Sequence, residues 1–415
     1  MPDNRSEILA EAHHSLPSKR HTVPNSQKLN VRVLTTLESL EMLRPAWDEL
    51  LSQYPQASIF STWEWLAPWW RAFGADQQLH VMAFEDMSSR LVGLAPLSIS
   101  TQATLGKKWK VLRLMGDGSG DSDNLDVPVV PQYADDVATR LLQYLEEHPK
   151  TCHFCEFNTL PATSIIANRL ILLLQEKCWS YFVHEKPTSC VALPSDWEVY
   201  LDQLSGKMRK DYKYSRGKLE KQANSRVYRC ARYADLPGCL EALFELHQKR
   251  WQSAGEPGSF SSVGRRRFYQ DLSAVLLERS QLEFWLLEIA GKIVAADYGF
   301  RYNDTVYALQ SGYDLAYGAA SPGFYLKATM LKALIESGVR HYSFLRGFTE
   351  SKARWNAQLS HYLHIDFAPP RSMGAIYLRI RHGSRDGEEW LRAHLPKSTW
   401  KFLQDLKAHI RSRST

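Results

Sequence analysis

The stretch Tyr307–Leu326, YALQSGYDLAYGAASPGFYL, holds the residues best placed for chemistry. An apolar, strand-like run ends at Gly312-Tyr313-Asp314, a loop of small residues follows, and Ser321-Pro322-Gly323 opens a helical pattern. Ser is a favoured N-cap, and Pro suits the first helical position. Free N–H groups and the positive end of a helix suit pyrophosphate, and Gly323 lets a ligand approach the backbone. A well-capped helix that binds nothing fits the same spacing. Arg250-Trp251 ends an amphipathic pattern before a Gly/Pro loop, and a guanidinium stacked on indole serves either packing or a cleft wall. The helical pattern at 206–221 carries seven Lys/Arg against Asp211 and Glu220. It is either a solvated face or a seat for an acidic ligand or carrier. Cys152-His-Phe-Cys155 has CxxC spacing but no second pair at zinc spacing, so the six Cys read as thiols and no metal is expected.

These residues need a scaffold, and the chain is long enough for two domains at 415 residues. Val31–Thr35 reads as a strand, followed by helical patterns at Leu37–Gln53 and Thr62–Phe73 and strands at Leu79–Phe84 and Leu91–Ser98. After a Gly-rich turn (Gly116–Gly120), helices near 133–147 and 163–176 alternate with strands near 153–158 and 179–184. The second half repeats this order. Its helices lie near 197–203, 206–223, 236–253 and 262–279, with a strand at Arg226–Tyr233. Three strands follow at 281–290, 292–302 and 304–313, then a helix (Pro322–Ser337) and a strand (His341–Leu345). The expected class is α/β, with helices packed on mixed central sheets. The 13 Trp are read as core more than cleft.

Order and spacing together identify a resemblance to the BioF-like and CelD-like acetyltransferases, a GNAT branch related to FemAB-like peptidyltransferases. It runs from about Phe60 to about Trp355. The matching pieces are Phe60-Ser-Thr-Trp-Glu-Trp65 with Trp69-Trp70, Leu91-Val-Gly-Leu-Ala-Pro-Leu97, the basic helix around Met208–Lys221, and His247-Gln-Lys-Arg250-Trp251. The others are Gly312-Tyr313-Asp314 with Ser321-Pro322-Gly323, and Phe344-Leu-Arg-Gly347 with Lys352 and Trp355. The sequence departs from the family where Ser343 replaces an Asp, and where Phe348-Thr-Glu-Ser-Lys352 lacks an acidic-then-Tyr pair.

The resemblance implies tandem GNAT-like domains at 30–194 and 195–370, between a flexible tail (1–29) and a basic helical tail (371–415). It also implies acyl transfer from acetyl-CoA to an amine or hydroxyl on a small-molecule or glycan-type acceptor. Such transfer needs a base, oxyanion donors and a proton for the leaving thiolate. Asp297 and Glu350 are candidate bases, and Tyr313 the candidate proton donor. Gly312, Ser321, Gly323, Arg346 and Lys352 are expected on the donor, and Arg250, Trp251 and Trp355 on the acceptor. Two alternatives stand: an aminoacyl transferase using aminoacyl-tRNA, and a non-catalytic binding protein in envelope polysaccharide assembly. The net charge of +6 lies wholly in the tail, since residues 371–415 hold 10 Lys+Arg against 4 Asp+Glu. That tail is either a solvated helix or a contact for an anionic membrane surface or nucleic acid. A cytoplasmic location is expected, because the first 29 residues lack a secretory apolar region.

Overall fold

A computed structural model describes residues 29–394 apart from 105, 223 and 254, with the backbone alone for 384–394. Of the expected tail over 1–29, residues 1–28 lie outside the described residues, as does the chain from 395 with Trp400 and Phe402, while Leu29 is buried.

The first half runs β1 (Asn30–Leu34), α1 (Leu37–Glu41), α2 (Arg44–Ser52), α3 (Trp63–Phe73), β2 (Gln77–Leu79), β3 (Val81–Glu85), β4 (Leu91–Ala95), β5 (Leu97–Thr104) and β6 (Lys107–Leu114). It closes with α4 (Ala134–Glu147), β7 (Phe154–Pro161), α5 (Ile165–Glu176) and β8 (Ser180–Ala192). The second half runs α6 (Trp197–Gln203), α7 (Gly206–Leu219), β9 (Arg226–Arg229), α8 (Leu236–Ser253), α9 (Val263–Glu278), β10 (Leu282–Ile289), β11 (Lys292–Tyr302) and β12 (Thr305–Tyr313). Then come α10 (Pro322–Glu336), β13 (His341–Arg346), α11 (Glu350–Ala353), β14 (Gln358–Ala368) and α12 (Met373–His394).

Local chemistry accounts for many boundaries. Thr62 caps α3 by accepting from the Trp65 amide, and Asp196 caps α6 by accepting from Glu198 and Val199. The β10–β11 hairpin turns on Ala290 and Gly291, both at positive φ (50° and 80°), as a two-residue hairpin with right-handed twist requires.

Eleven strands form one mixed sheet in the order β2-β5-β6-β7-β14-β8-β13-β12-β11-β10-β9, and β1-β3-β4 form a second. Only His80 separates β2 from β3, and only Pro96 separates β4 from β5, so two bent strands join the sheets. The halves therefore repeat one plan: antiparallel strands, a crossover helix (α4 or α10), then a parallel strand (β7 or β13). The last strand of each half crosses over. β14 lies between β7 and β8 of the first half, and β8 pairs with β13 of the second.

The halves also share a core. Trp65 of α3 packs on Phe268 of α9 at 5.3 Å and on Phe300 of β11 at 5.1 Å, with Phe60 against Phe300 at 5.6 Å. Trp47, Trp65 and Trp69 are fully buried. The segment after Arg371 begins as part of the fold, a correction to a free basic tail. Ala375, Tyr377 and Leu378 of α12 are buried, and Tyr377 stacks on Trp109 at 4.4 Å. The six cysteines are free thiols, with Cys152 and Cys155 sulfurs 3.9 Å apart.

Candidate functional site

β12 and β13 pair in parallel only from Thr305–Tyr307 to His341–Ser343, and then part. β12 runs on to Tyr313, while β13 turns to β8 through Leu345 and Arg346. A bulge on β12 contributes to the parting. Tyr298 pairs with Gln310 but Gly299 with Ala308, leaving Leu309 as the extra residue. Gly299 is required there, because a Cβ would lie 2.4 Å from the Tyr307 carbonyl oxygen. The parting opens a cleft of about 1040 Å³.

The first turn of α10 lines this cleft through Ser321, Pro322, Gly323 and Phe324. Ser321 is the N-cap residue by position, but in left-handed conformation (φ 49°), and its side chain makes no capping bond. Its carbonyl oxygen instead accepts from the amides of Phe324 and Tyr325. The expected side-chain cap is thus corrected, because left-handed backbone at the cap does the turning. A Cβ on Gly323 would sit 3.2 Å from the Tyr313 ring, so that ring rests against the helix start. Gly312 serves packing: a Cβ there would meet the His247 backbone nitrogen at 2.7 Å and Leu246 Cβ at 2.8 Å, on the α8 side.

Asp297 is buried on the cleft wall, and its carboxylate accepts from Lys327 Nζ at 2.6 Å. Lys327, on α10, also donates to the Tyr342 hydroxyl at 2.9 Å. Burial opposes the Lys327 charge, but the Asp297 carboxylate and Tyr342 outweigh it and hold its pKa above the usual lysine range. The expected role of Asp297 as a free base is not what the geometry favours, because its carboxylate is occupied by that ammonium.

The opposite wall comes from the first half. The chain leaving β6 turns on Gly116, Gly118 and Gly120, all at positive φ, and delivers Gly120 and Asp123 to the cleft. Asp123 is buried and grips Arg346, accepting from its backbone N–H at 3.0 Å and from Nη2 at 2.8 Å. Burial raises the Asp123 pKa, and the Arg346 charge opposes the rise. Asp121 pairs with Arg265 at 2.9 Å and accepts from the Tyr269 hydroxyl at 2.9 Å. Lys352 lines the cleft, but its ammonium donates to the carbonyls of Phe344, Arg346 and Gly347 at 2.9, 2.6 and 3.0 Å. It braces the end of β13, where Leu345 and Gly347 have positive φ. Burial brings its pKa down to about 8, Asp123 opposes the fall, and Lys327 adds to it.

The Arg250 guanidinium makes no hydrogen bond or ion pair among the described residues. It lies over the rings of Trp251 (5.7 Å) and Tyr313 (5.9 Å), and burial lowers its pKa. Trp251 Nε1 donates to His247 Nε2 at 2.8 Å. Burial and the nearby Arg250 charge hold the buried His247 down to about 4, so the ring is a neutral acceptor near pH 7. Trp355 is a core residue with one edge on the cleft. It packs on Phe324 at 5.0 Å, and its carbonyl accepts from the Tyr200 hydroxyl. Glu350 is exposed at the start of α11 and does not line the cleft, so its reading as a base is corrected.

The sequence reading missed Lys327 and Asp123. A Lys inside an amphipathic helix resembles any surface Lys, whereas three Asp in Asp121-Ser-Asp-Asn-Leu-Asp126 after a Gly-rich turn carried a usable signal.

Residues 206–353 match the family model described as an acetyltransferase (GNAT) domain. Among solved structures the chain resembles FemX, with 11% identity over 78% of this chain and 95% of that one and a TM-score of 0.56. A conserved protein of unknown function from Bacteroides thetaiotaomicron is 12% identical over 82% of this chain and 100% of that one, with a TM-score of 0.51. A tandem GNAT protein from the clavulanic acid biosynthesis pathway is 10% identical over 82% of this chain and 98% of that one, with a TM-score of 0.47. No curated protein matches. At such identities the likeness to the first two speaks for the fold alone.

Proposed function

We propose that this chain, whose residues 206–353 match the acetyltransferase (GNAT) domain model, moves an acyl group, acetyl as first candidate, from a CoA thioester to an amine or hydroxyl. The observation that carries this reading is the parting of β12 from β13 at the first turn of α10, a turn with no acidic residue. The residues present fit the donor. The amide end of a 15-residue helix suits a pyrophosphate, and β12 beyond Tyr307 has a backbone edge free of β13 for an amide-bearing arm. Tyr313 at that helix start is the group to protonate the departing thiolate. Lys327, kept protonated, supplies fixed positive charge for an oxyanion and takes no proton itself.

On the acceptor side, the unpartnered Arg250 beside Trp251 supports a ligand bearing a carboxylate or phosphate, such as a sugar or cell-envelope precursor. The reading carries a cytoplasmic location with it; no described helix is long and apolar enough to cross a membrane.

Isothermal titration with acetyl-CoA and with CoA tests this, followed by an acceptor screen that reads thiol release. Acetyl-CoA should bind and raise the melting temperature. No heat and no melting shift at millimolar ligand, with folded protein, would remove the donor. Tyr313→Phe should keep CoA affinity and lower turnover. A second reading, aminoacyl transfer from aminoacyl-tRNA, is favoured by the exposed Lys207, Lys210, Lys213 and Lys218 of α7. Strong salt dependence of tRNA binding together with silence toward CoA would select it.

A further inference from the structure

Helix α12 has two faces. One is in the core: Ala375, Tyr377, Leu378 and His382 are buried against the sheet, where His382 Nε2 lies 2.9 Å from the Asp366 carboxylate. The other faces solvent with Met373, Ile376 and Ile380, which are 54%, 51% and 58% exposed. Spacings of three and four put these three on one stripe. Other large exposed apolar residues, such as Met42, Met87 and Val263, sit on separate elements and need no explanation. A stripe does, because the core face of the same helix is already satisfied.

Charge decides what fits it. Arg371 and Arg379 are exposed beside the stripe, whereas Arg381 is committed to Glu156. From Arg371 onward the chain carries 10 Lys+Arg against 4 Asp+Glu, an excess of 6 that equals the protein's whole net charge of +6. Residues 371–394 hold five Arg against three Asp+Glu, an excess of 2, and residues 395–415 add the other 4, so the stripe opens the one basic stretch of an otherwise neutral sequence. An anionic lipid surface offers both complements, an acyl boundary for the stripe and negative headgroups for the surplus. We propose that the outer face of α12, Met373, Ile376 and Ile380 flanked by Arg371 and Arg379, seats the protein on an anionic bilayer. This goes beyond the acyltransferase reading and does not depend on it.

The test is co-sedimentation of the full chain with phosphatidylcholine vesicles, pure or with roughly one-third phosphatidylglycerol. The wild type should bind the anionic vesicles, lose binding as salt rises, and ignore pure phosphatidylcholine. The double variant Ile376→Glu, Ile380→Glu changes exposed residues only, so its melting curve should match wild type while vesicle binding falls at least ~10-fold. Equal binding to both vesicle types overturns the proposal, as does a folded double variant that binds like wild type. If the wild type instead self-associates without lipid and the double variant does not, a second copy covers the stripe and the proposal fails. If only a chain lacking residues 395–415 binds vesicles, that segment covers the stripe, and the proposal fails equally.

Discussion

The two halves repeat one topology, yet one holds a cleft and the other fills the corresponding place with its own side chains. In the second half β12 and β13 part, and the connection to α10 lines the gap through Leu315, Gly318 and Ser321 without bridging it to β13 by any hydrogen bond among the described residues. In the first half β6 and β7 pair only at Val111–Arg113 with Phe154–Glu156. The chain leaving β6 is then tied to β7, where Asn158 donates to Asp117 at 2.9 Å. It is tied again just past β7, where Ser164 donates to Asp126 at 2.7 Å and Tyr54 donates to the same carboxylate. The crossover helices differ in the same sense. α4 opens with Asp135 and Asp136, which oppose an anion at the positive helix end, whereas α10 opens with Pro322 and Gly323. Element order therefore makes a place for a site, and a few residues in one turn and one connection decide whether it is used.

The largest expected effect comes from breaking the wall of the open half. Lys327→Met leaves the Asp297 carboxylate buried without its ammonium, at a cost of ~3 kcal/mol in chemical denaturation. Adding Asp297→Asn should restore most of that stability; if it does not, the loss comes from packing of α10.

Next, Gly323→Asp gives α10 the acidic first turn of α4. CoA affinity should fall at least ~10-fold, about 1.4 kcal/mol, by titration. Gly323→Ala is the control, since its Cβ meets the Tyr313 ring at the same 3.2 Å without charge. Equal losses in both variants would mean that ring contact, not charge, separates the two helix starts.

The smallest net effect concerns pH, because each half holds a buried group that pulls stability the opposite way. In the filled half, burial raises Asp126 to about 6, offset in part by Tyr54, Ser164 and Val127. The folded state then holds more protons than the unfolded chain from about pH 4 to 6, so this group's stabilisation is complete below that range and is lost as pH rises through it. In the open half His247, down to about 4, does the reverse: its stabilisation is complete above about 6.5 and is lost as pH falls. The two should nearly cancel in the wild type. Asp126→Asn should steepen acid destabilisation, and His247→Gln should flatten or invert it, read as melting temperature from pH 4 to 7. Parallel profiles in both variants would show that neither group titrates as its burial implies.

The sequence was most legible where cause and effect lie close together. The strands of the β10–β11 hairpin and the strand, loop and helix start from Gly312 to Gly323 carry their reasons within a few residues, although left-handed backbone rather than the Ser321 side chain does the capping. Arg250 and Trp251 reach the cleft on a helix whose amphipathic pattern was visible. What stayed hidden depends on distant partners. Asp123 and Arg346 are 223 positions apart, and nothing near either names the other. β14 reads as a mixture, Gln358-Leu-Ser-His-Tyr-Leu-His-Ile-Asp-Phe-Ala368, because strands cover both of its edges and α12 rather than water meets one face. Glu350, read as a base, and Lys352, read as a donor contact, sit on the short turn of α11, which leaves the first in solvent and folds the second's ammonium onto three carbonyls.

The exchange of β8 and β14 has a consequence for how the chain is made. During synthesis the first half emerges while the strand that belongs between β7 and β8 is still about 170 residues away in the sequence. Until it arrives, β7 and β8 each present an unpaired backbone edge, the kind of surface that templates pairing with other chains. The late arrival of β14 closes both edges at once, a strongly non-local step that comes late in the chain. A protein of this design should be sensitive to interruption. Chains released before residue 358 should aggregate even though every residue of the first half is present. A circular permutant that begins at the connection after β8 should put the same burden on β13 and β14 instead, since both would wait for β8.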